Sequence, residues 1–214
     1  MPIPNLTIIG ESINDSVPST NKLFEANDLA GLKELAKSQD LGGAGYIDVN
    51  VGPRPAEFLA EMVRQVQSVT TKPLSVDTPD PVMAAAGLKA YDRARAGGRL
   101  PILNSISQPR QEMFKLTQVA PFLPILLASE RVEQGVSQPN HTAAQVHQTA
   151  RELVAEAGRH GIPVDHCIID PAISPIGADS EGRFQCLMGA IRLIRADPDL
   201  QGVHMSVGLS NFSV

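Results

Sequence analysis

The sequence predicts an α/β chain folded as a (β/α)8 TIM-type barrel that lacks the eighth βα unit, and three observations carry that expectation. Short apolar runs closed by one carboxylate or amide recur: Tyr46-Ile47-Asp48-Val49-Asn50, Leu74-Ser75-Val76-Asp77-Thr78, Ile102-Leu103-Asn104-Ser105, Ile168-Ile169-Asp170-Pro171 and Val207-Gly208-Leu209-Ser210-Asn211. Buried parallel strands read as continuous Val/Ile/Leu runs of this kind. The runs alternate with stretches of helical period, without hairpin signals between them, as in a parallel sheet joined by helical crossovers. Polar residues close nearly every strand, whereas an open doubly wound sheet gathers them at one switch point.

Taken in order, Leu6–Gly10 is the first strand and ends at Glu11-Ser12-Ile13-Asn14; a Ser/Pro/Asn-rich loop follows. Asp28 caps a helix carrying Leu29, Leu32, Leu35 and Ala36, which Gly42-Gly43 stops. Gly42-Gly43-Ala44-Gly45 precedes a strand, so it is not a dinucleotide fingerprint. After strand two (Tyr46–Asn50), Phe58, Leu59, Met62, Val63, Val66 and Val69 form the most regular apolar stripe in the chain. Strand three is Leu74–Asp77, and Asp80-Pro81 reads as an N-cap followed by proline at the first helical position. Strand four, Leu100–Asn104, leads to a short helix with Met113, Leu116 and Val119, then strand five, Leu123–Ala128, and a polar loop. Thr142 with Gln145 forms a capping box for a helix closed by Gly161 and Pro163. Strand six, Cys167–Asp170, a glycine-rich loop, a helix with Phe184, Leu187, Met188, Ile191 and Ile194, and strand seven, Val203–Gly208, complete the chain. A closed barrel needs an eighth strand. Either the sequence is a piece of a longer one or another segment covers the seam, and an open edge of this kind predicts a homodimer or a swapped segment.

At 214 residues one domain, 1–214, is expected, with 43% hydrophobic and 19% charged residues. The net charge of -5 argues against nucleic acid or an anionic membrane as partner. No run approaches the ~18 apolar residues of a membrane span, and Met1-Pro2-Ile3-Pro4-Asn5 has no export signature. A cytoplasmic protein is expected. Cys167 and Cys186 have no metal or redox spacing and read as reduced thiols. His141, His147, His160 and His166 read as solvated, and His204 as core.

The strand ends collect Glu11, Asn14, Asp48, Asn50, Asp77, Asn104, Asp170 and Asn211. Asp48, Asp77 and Asp170 could hold a hard cation, but no transition-metal spacing is present, and no metal is expected. A glycosidase carboxylate pair is a further alternative. The set better suits a neutral heterocycle with several N–H donors and ring-nitrogen acceptors. Carboxylates accept from an amino-pyrimidine edge, and asparagine offers both a donor and an acceptor. Any one of these residues could instead be a strand cap bonded to nearby backbone; all eight together are a poor fit to that reading.

Six ordered motifs, Ile9-Gly10-Glu11-Ser12-Ile13-Asn14, Asp48-Val49-Asn50-Val51-Gly52, Val76-Asp77-Thr78, Asn104-Ser105, Asp170-Pro171 and Gly208-Leu209-Ser210-Asn211, resemble those of the pterin-binding methyltransferases. These are the methyltetrahydrofolate:corrinoid/iron–sulfur protein methyltransferases and their relatives in the dihydropteroate synthase-like superfamily. The resemblance implies a cytoplasmic methyltransferase of one-carbon metabolism. Its substrates would be methyltetrahydrofolate or a related tetrahydropterin and a corrinoid (cobalamin) carried by a partner protein. It implies that Asp77, Asn104 and Asp170 hold the pterin's pyrimidine edge, that Asp48 supports them, and that Asn211 bonds N5, the atom that gives up the methyl. Two alternatives remain. One is a dihydropteroate synthase-like C–N condensation, for which the expected late-strand lysine and Ser-Arg-Lys-type motif are replaced by Gly208-Leu209-Ser210-Asn211. The other is a pterin-binding but catalytically incomplete barrel.

Overall fold

The computed structural model describes residues 5–173 and 182–209. Its contacts divide the chain into two units: residues through Asn104 together with Gln118–Phe122, and Ser105–Thr117 together with residues from Leu123 onward.

In the first unit, β1 (Ile9–Asn14), β2 (Tyr46–Asn50), β3 (Leu74–Asp77) and, as far as Asn104, β4 (Ile102–Ile106) pair in chain order, all parallel. They are joined through α1 (Pro18–Glu25), α2 (Leu29–Leu41), α3 (Ala56–Gln67) and α4 (Pro81–Ala90). The local signals explain the helix ends. Asp28 accepts from Gly31 N at 2.9 Å, and Asp80 accepts from Val82 N at 2.7 Å with Pro81 behind it. Gly42 closes α2, and Gly43 takes a φ of +89° that suits a residue without Cβ. The α3 stripe is buried at Leu59, Met62, Val63 and Val66, while Phe58 is half-buried. α3 packs on α4 at Gly87, where a Cβ would stand 2.8 Å from Val76 and 3.4 Å from Leu59. Side chains alternate faces along a strand. Val76 against α4 therefore turns Ser75 and Asp77 to the opposite face of the sheet.

Two expectations fail here. The loop after β1 contains α1, which opens at Pro18 and buries Phe24 and Thr20. Its eight residues are too few and too polar for a helical period, and Phe24, edge-on to Phe58 at 5.9 Å, supplies the packing. β1 itself begins at Ile9 and runs to Asn14, with a register shift between Gly10 and Ile13; Leu6 and Ile8 precede it and are exposed.

In the second unit β5 (Leu123–Leu127), β8 (Ile168–Asp170) and β9 (His204–Met205) are parallel neighbours in that order. This makes seven parallel strands among the described residues. Between β5 and β8 the polar segment forms an antiparallel hairpin, β6 (Glu130–Glu133) and β7 (Val136–Pro139), contrary to the expectation of a loop without hairpin signals. Gln134 and Gly135 turn it with φ of +52° and +79°, the two positive values a tight hairpin turn requires. α5 (Ala143–Arg159) carries the Thr142–Gln145 capping box and packs on α6 (Arg183–Ala196). His147 Nε2 and Arg151 meet the buried Asp197 carboxylate at 2.6 and 3.0 Å.

The short helix expected after β4 is made of 3-10 turns, Gln108–Gln118, with a kink at Arg110. The apolar spacing there, Met113, Leu116, Val119, is three residues throughout, which is the period of a 3-10 helix. His204 is exposed on β9 instead of belonging to the core, and His160 is half-buried, stacked on Phe114 at 5.5 Å. Cys167 is buried and Cys186 half-buried, both as free thiols. Burial pushes the Cys167 thiol up to about 12, so at neutral pH it is an inert apolar group. No helix among the described residues is long and apolar enough to cross a membrane.

Candidate functional site

Five of the eight strand-end residues, Glu11, Asp48, Asn50, Asp77 and Asn104, converge in the first unit, and Ser75 joins them. Asp48 and Asn50 on β2, Ser75 and Asp77 on β3, and Asn104 on β4 share the face turned away from α4. The register sets Asp48 beside Ser75 and Asp77 beside Asn104. Asn50 donates through Nδ2 to Asp77 Oδ2 at 2.9 Å, and its own Oδ1 accepts from Gly52 N at 2.9 Å. Asn50 is thereby locked with its amide hydrogens toward Asp77. Glu11, on exposed β1 residues, lies close enough for its charge to act on both Asp48 and Asp77.

Asp48 is the least expected member. It is 1% exposed, and neither carboxyl oxygen has a partner in hydrogen-bonding geometry. The Ser75 hydroxyl and the Asn104 amide lie near enough to favour its anion somewhat, yet Ser75 Oγ is itself unpartnered. Burial, then the Asp77 charge, hold the Asp48 carboxyl well above the usual carboxylate range. Burial also raises Asp77, against the hydrogen bond from Asn50.

The Asp48 shift has a consequence for stability. Between an unfolded carboxyl at 3.8 and the raised folded value, the folded state binds more protons than the unfolded one. Stability is therefore present below pH 4 and is lost as pH rises through the folded pKa. Asp48→Asn keeps the shape and removes the titration. Melting curves from pH 4 to 9 should show the variant gaining on the wild type as pH rises; parallel curves would contradict the burial argument.

Beside the cluster, the β1 and β2 ends are tied together. Arg54 pairs with Asp15 and donates to Val51 O at 2.5 Å; its guanidinium lies 4.8 Å from the Phe24 ring centre and 5.6 Å from that of Phe58. Asn21 donates to the same Asp15 oxygen at 2.8 Å, and the hydrogen bond from Arg54 holds the Asp15 carboxyl below the usual range. Gly52 lies directly under this pair with φ +63°, and a Cβ there would meet Asp15 Oδ2 at 2.2 Å. Gly52→Ala is expected to cost ~1–3 kcal/mol from the left-handed backbone, plus the displacement of Asp15. Urea unfolding should show that loss, and Asn50 should lose its anchor at Gly52 N. Asn14, a predicted ligand, spends its Oδ1 on Ser16 N at 2.9 Å and Ser16 Oγ at 2.6 Å, and so shapes the turn into α1.

Asp170 belongs to the second unit. Its Oδ1 accepts from Ala172 N at 2.8 Å and its Oδ2 from Ser206 Oγ at 3.5 Å, while Ala172 takes a φ of +62°. A cavity of about 410 Å³ lies nearby, lined among others by Pro171, Ala172, Glu130, Asn140 and Arg183. Asn211, the predicted catalytic residue, lies outside the described residues. No three metal-ligating side chains come together among the described residues. Sequence reasoning missed Ser75, whose signal is its two-residue spacing from Asp77, and the Asp15–Arg54 pair, for which the sequence carries no signal.

A carboxylate, a locked amide and a second amide on one face, with an unpartnered buried acid behind them, suit an edge rich in N–H donors. A family model of pterin binding enzymes matches residues 13–214. The methylcorrinoid:tetrahydrofolate methyltransferase of Eubacterium limosum is 29% identical over 220 residues, covering 97% of this chain and 74% of the relative. Among solved structures, dihydropteroate synthase of Xanthomonas albilineans with 4-aminobenzoic acid aligns with a TM-score of 0.63 at 18% identity, over 98% of this chain and 74% of that one. The Yersinia pestis enzyme with a pterine–sulfa conjugate aligns at 0.55 and 13% identity, over 94% and 70%. At such identities the likeness shows the fold alone, which is the (β/α)8 TIM type. The match of the family model over nearly the whole chain settles the wider question: this chain belongs to the family of pterin binding enzymes.

Proposed function

We propose that the protein transfers a methyl group between an N5-methylated tetrahydropterin, such as methyltetrahydrofolate, and a corrinoid carried on another protein. The observation that carries this reading is the Asn50–Asp77–Asn104 face in a chain whose relative is a methylcorrinoid:tetrahydrofolate methyltransferase. Asp77 accepts from the amino-pyrimidine N–H groups, and Asn104 offers a donor and an acceptor to the same edge. In the demethylation direction the N5–CH3 bond breaks, the carbon–cobalt bond forms, and the N5 electron pair takes up a proton. An amide-like N5 anion is a poor leaving group, so a donor that bonds N5 more strongly as charge develops lowers the barrier. Asn211 has that role in this reading.

Calorimetric titration of the chain with methyltetrahydrofolate tests the reading, followed by a methyl-transfer assay with a corrinoid protein. Micromolar binding that Asp77→Ala abolishes is the expected result. A well-folded chain that binds neither methyltetrahydrofolate nor a tetrahydromethanopterin-type ligand would overturn it.

A further inference from the structure

Asp48 and Asp77 stand on neighbouring parallel strands, two residues apart in register and on one face. The groups acting on Asp48 come from each strand of the unit: Glu11 from β1, Ser75 and Asp77 from β3, and Asn104 from β4. None is a cation. The Arg54 guanidinium, beside the β1 and β2 ends, is already committed to Asp15. An ionised carboxylate at 1% exposure with no bonded partner would carry the full cost of desolvation and face two further acids. A carboxyl in that position keeps its proton, and an O–H group needs an acceptor. The acceptor that the sheet offers is the Asp77 carboxylate, on the neighbouring strand and the same face, and Asp48 acts on it in the sense expected of a donor.

We infer that Asp48 is a positioning residue, held as the neutral acid and donating its proton to Asp77, so that Asp77 is presented to the ligand as a fixed anionic acceptor. Asp77 then takes one hydrogen bond from the Asp48 O–H and one from Asn50 Nδ2 at 2.9 Å. A carboxylate has about four acceptor positions, so two remain for ligand N–H groups. The Asp48 carbonyl oxygen, no longer charged, accepts from the Ser75 hydroxyl or the Asn104 amide after a small adjustment. One buried proton thus relieves the unpartnered Asp48 oxygens and gives the Asp77 charge a partner without introducing a cation that would compete with the ligand. The protonation is a property of the ligand-free chain; its use in ligand binding rests on the pterin reading above.

Infrared difference spectroscopy of the full chain without ligand tests the first part. At pH 7 the wild type should show the C=O stretch of an un-ionised carboxyl, and Asp48→Asn should lack it. The band should fade on raising the pH, and fade at lower pH in Asp77→Asn, where the neighbouring negative charge is gone. No such band in the wild type at pH 7, its survival in Asp48→Asn, or an unchanged midpoint in Asp77→Asn would each overturn the inference. The second part is read by methyltetrahydrofolate affinity against pH. The wild type should weaken at least tenfold as the band disappears, while Asp48→Asn, which keeps a donor and cannot ionise, should hold its affinity flat. A wild type whose affinity ignores the band would sink the positioning role. A band that behaves as stated in a chain that binds no pterin would leave the shared proton standing and remove the pterin reading instead.

Discussion

Replacing Asn211 with alanine is expected to slow methyl transfer on the order of 10²–10³-fold, the loss typical of removing one preorganised donor from a transition state. Pterin affinity should change much less. The two effects separate because the N5 lone pair of a tertiary amine is a modest acceptor in the ground state and becomes a strong one only as the C–N bond lengthens. Interactions stronger in the transition state than in the ground state raise the turnover rate; those equal in both raise affinity alone. Single-turnover transfer to a Co(I) corrinoid, set against calorimetric affinity for the pterin, measures both. Equal losses in rate and affinity would make Asn211 a binding residue and remove its assigned role.

Asp77→Asn is expected to show the opposite split, weakening pterin binding by roughly 10–150-fold, the equivalent of about 1.5–3 kcal/mol for a hydrogen bond to a charged group. The rate from the bound complex should be nearly preserved. An amide at this position presents one oxygen and two N–H groups where the ligand edge presents N–H groups of its own, so at least one donor faces another donor. Asn50 Nδ2, fixed at its far end by Gly52 N, cannot turn to compensate without leaving that anchor. Affinity within twofold of the wild type would show that the ligand edge lies elsewhere.

The same residues show which facts are local and which are not. The sequence alone determined the helix ends, because a cap is a bond between neighbours. Asp28 to Gly31, Asp80 to Val82 and Thr142 with Gln145 need nothing beyond three or four residues of chain. It determined the α3 face as well, since an apolar stripe at helical spacing has one way to bury itself. The ordered strand ends were legible for a related reason: a short apolar run closed by Asp or Asn marks a buried parallel strand and its C-terminal end. The motifs at those ends also named the family, which their chemistry left open.

Tertiary structure alone decided what those side chains do. Ser75 and Asp48 became neighbours through the β2–β3 register, and only their burial, with no bonded partner, sets the charge state of Asp48. Asn14 looked equivalent to Asn50, but its oxygen is consumed by Ser16 while that of Asn50 anchors to Gly52. Asp15 and Arg54 are 39 positions apart, and two phenylalanines from α1 and α3 complete their site. α1 and the β6–β7 hairpin were missed because short segments draw their stability from what they pack against or bond to: Phe24 on Phe58, and the Val132 amide held by Gln108 at 2.7 Å. Pattern along the chain fixes elements and faces. Register and burial, which depend on residues far apart in sequence, fix which groups meet and which of them carry charge.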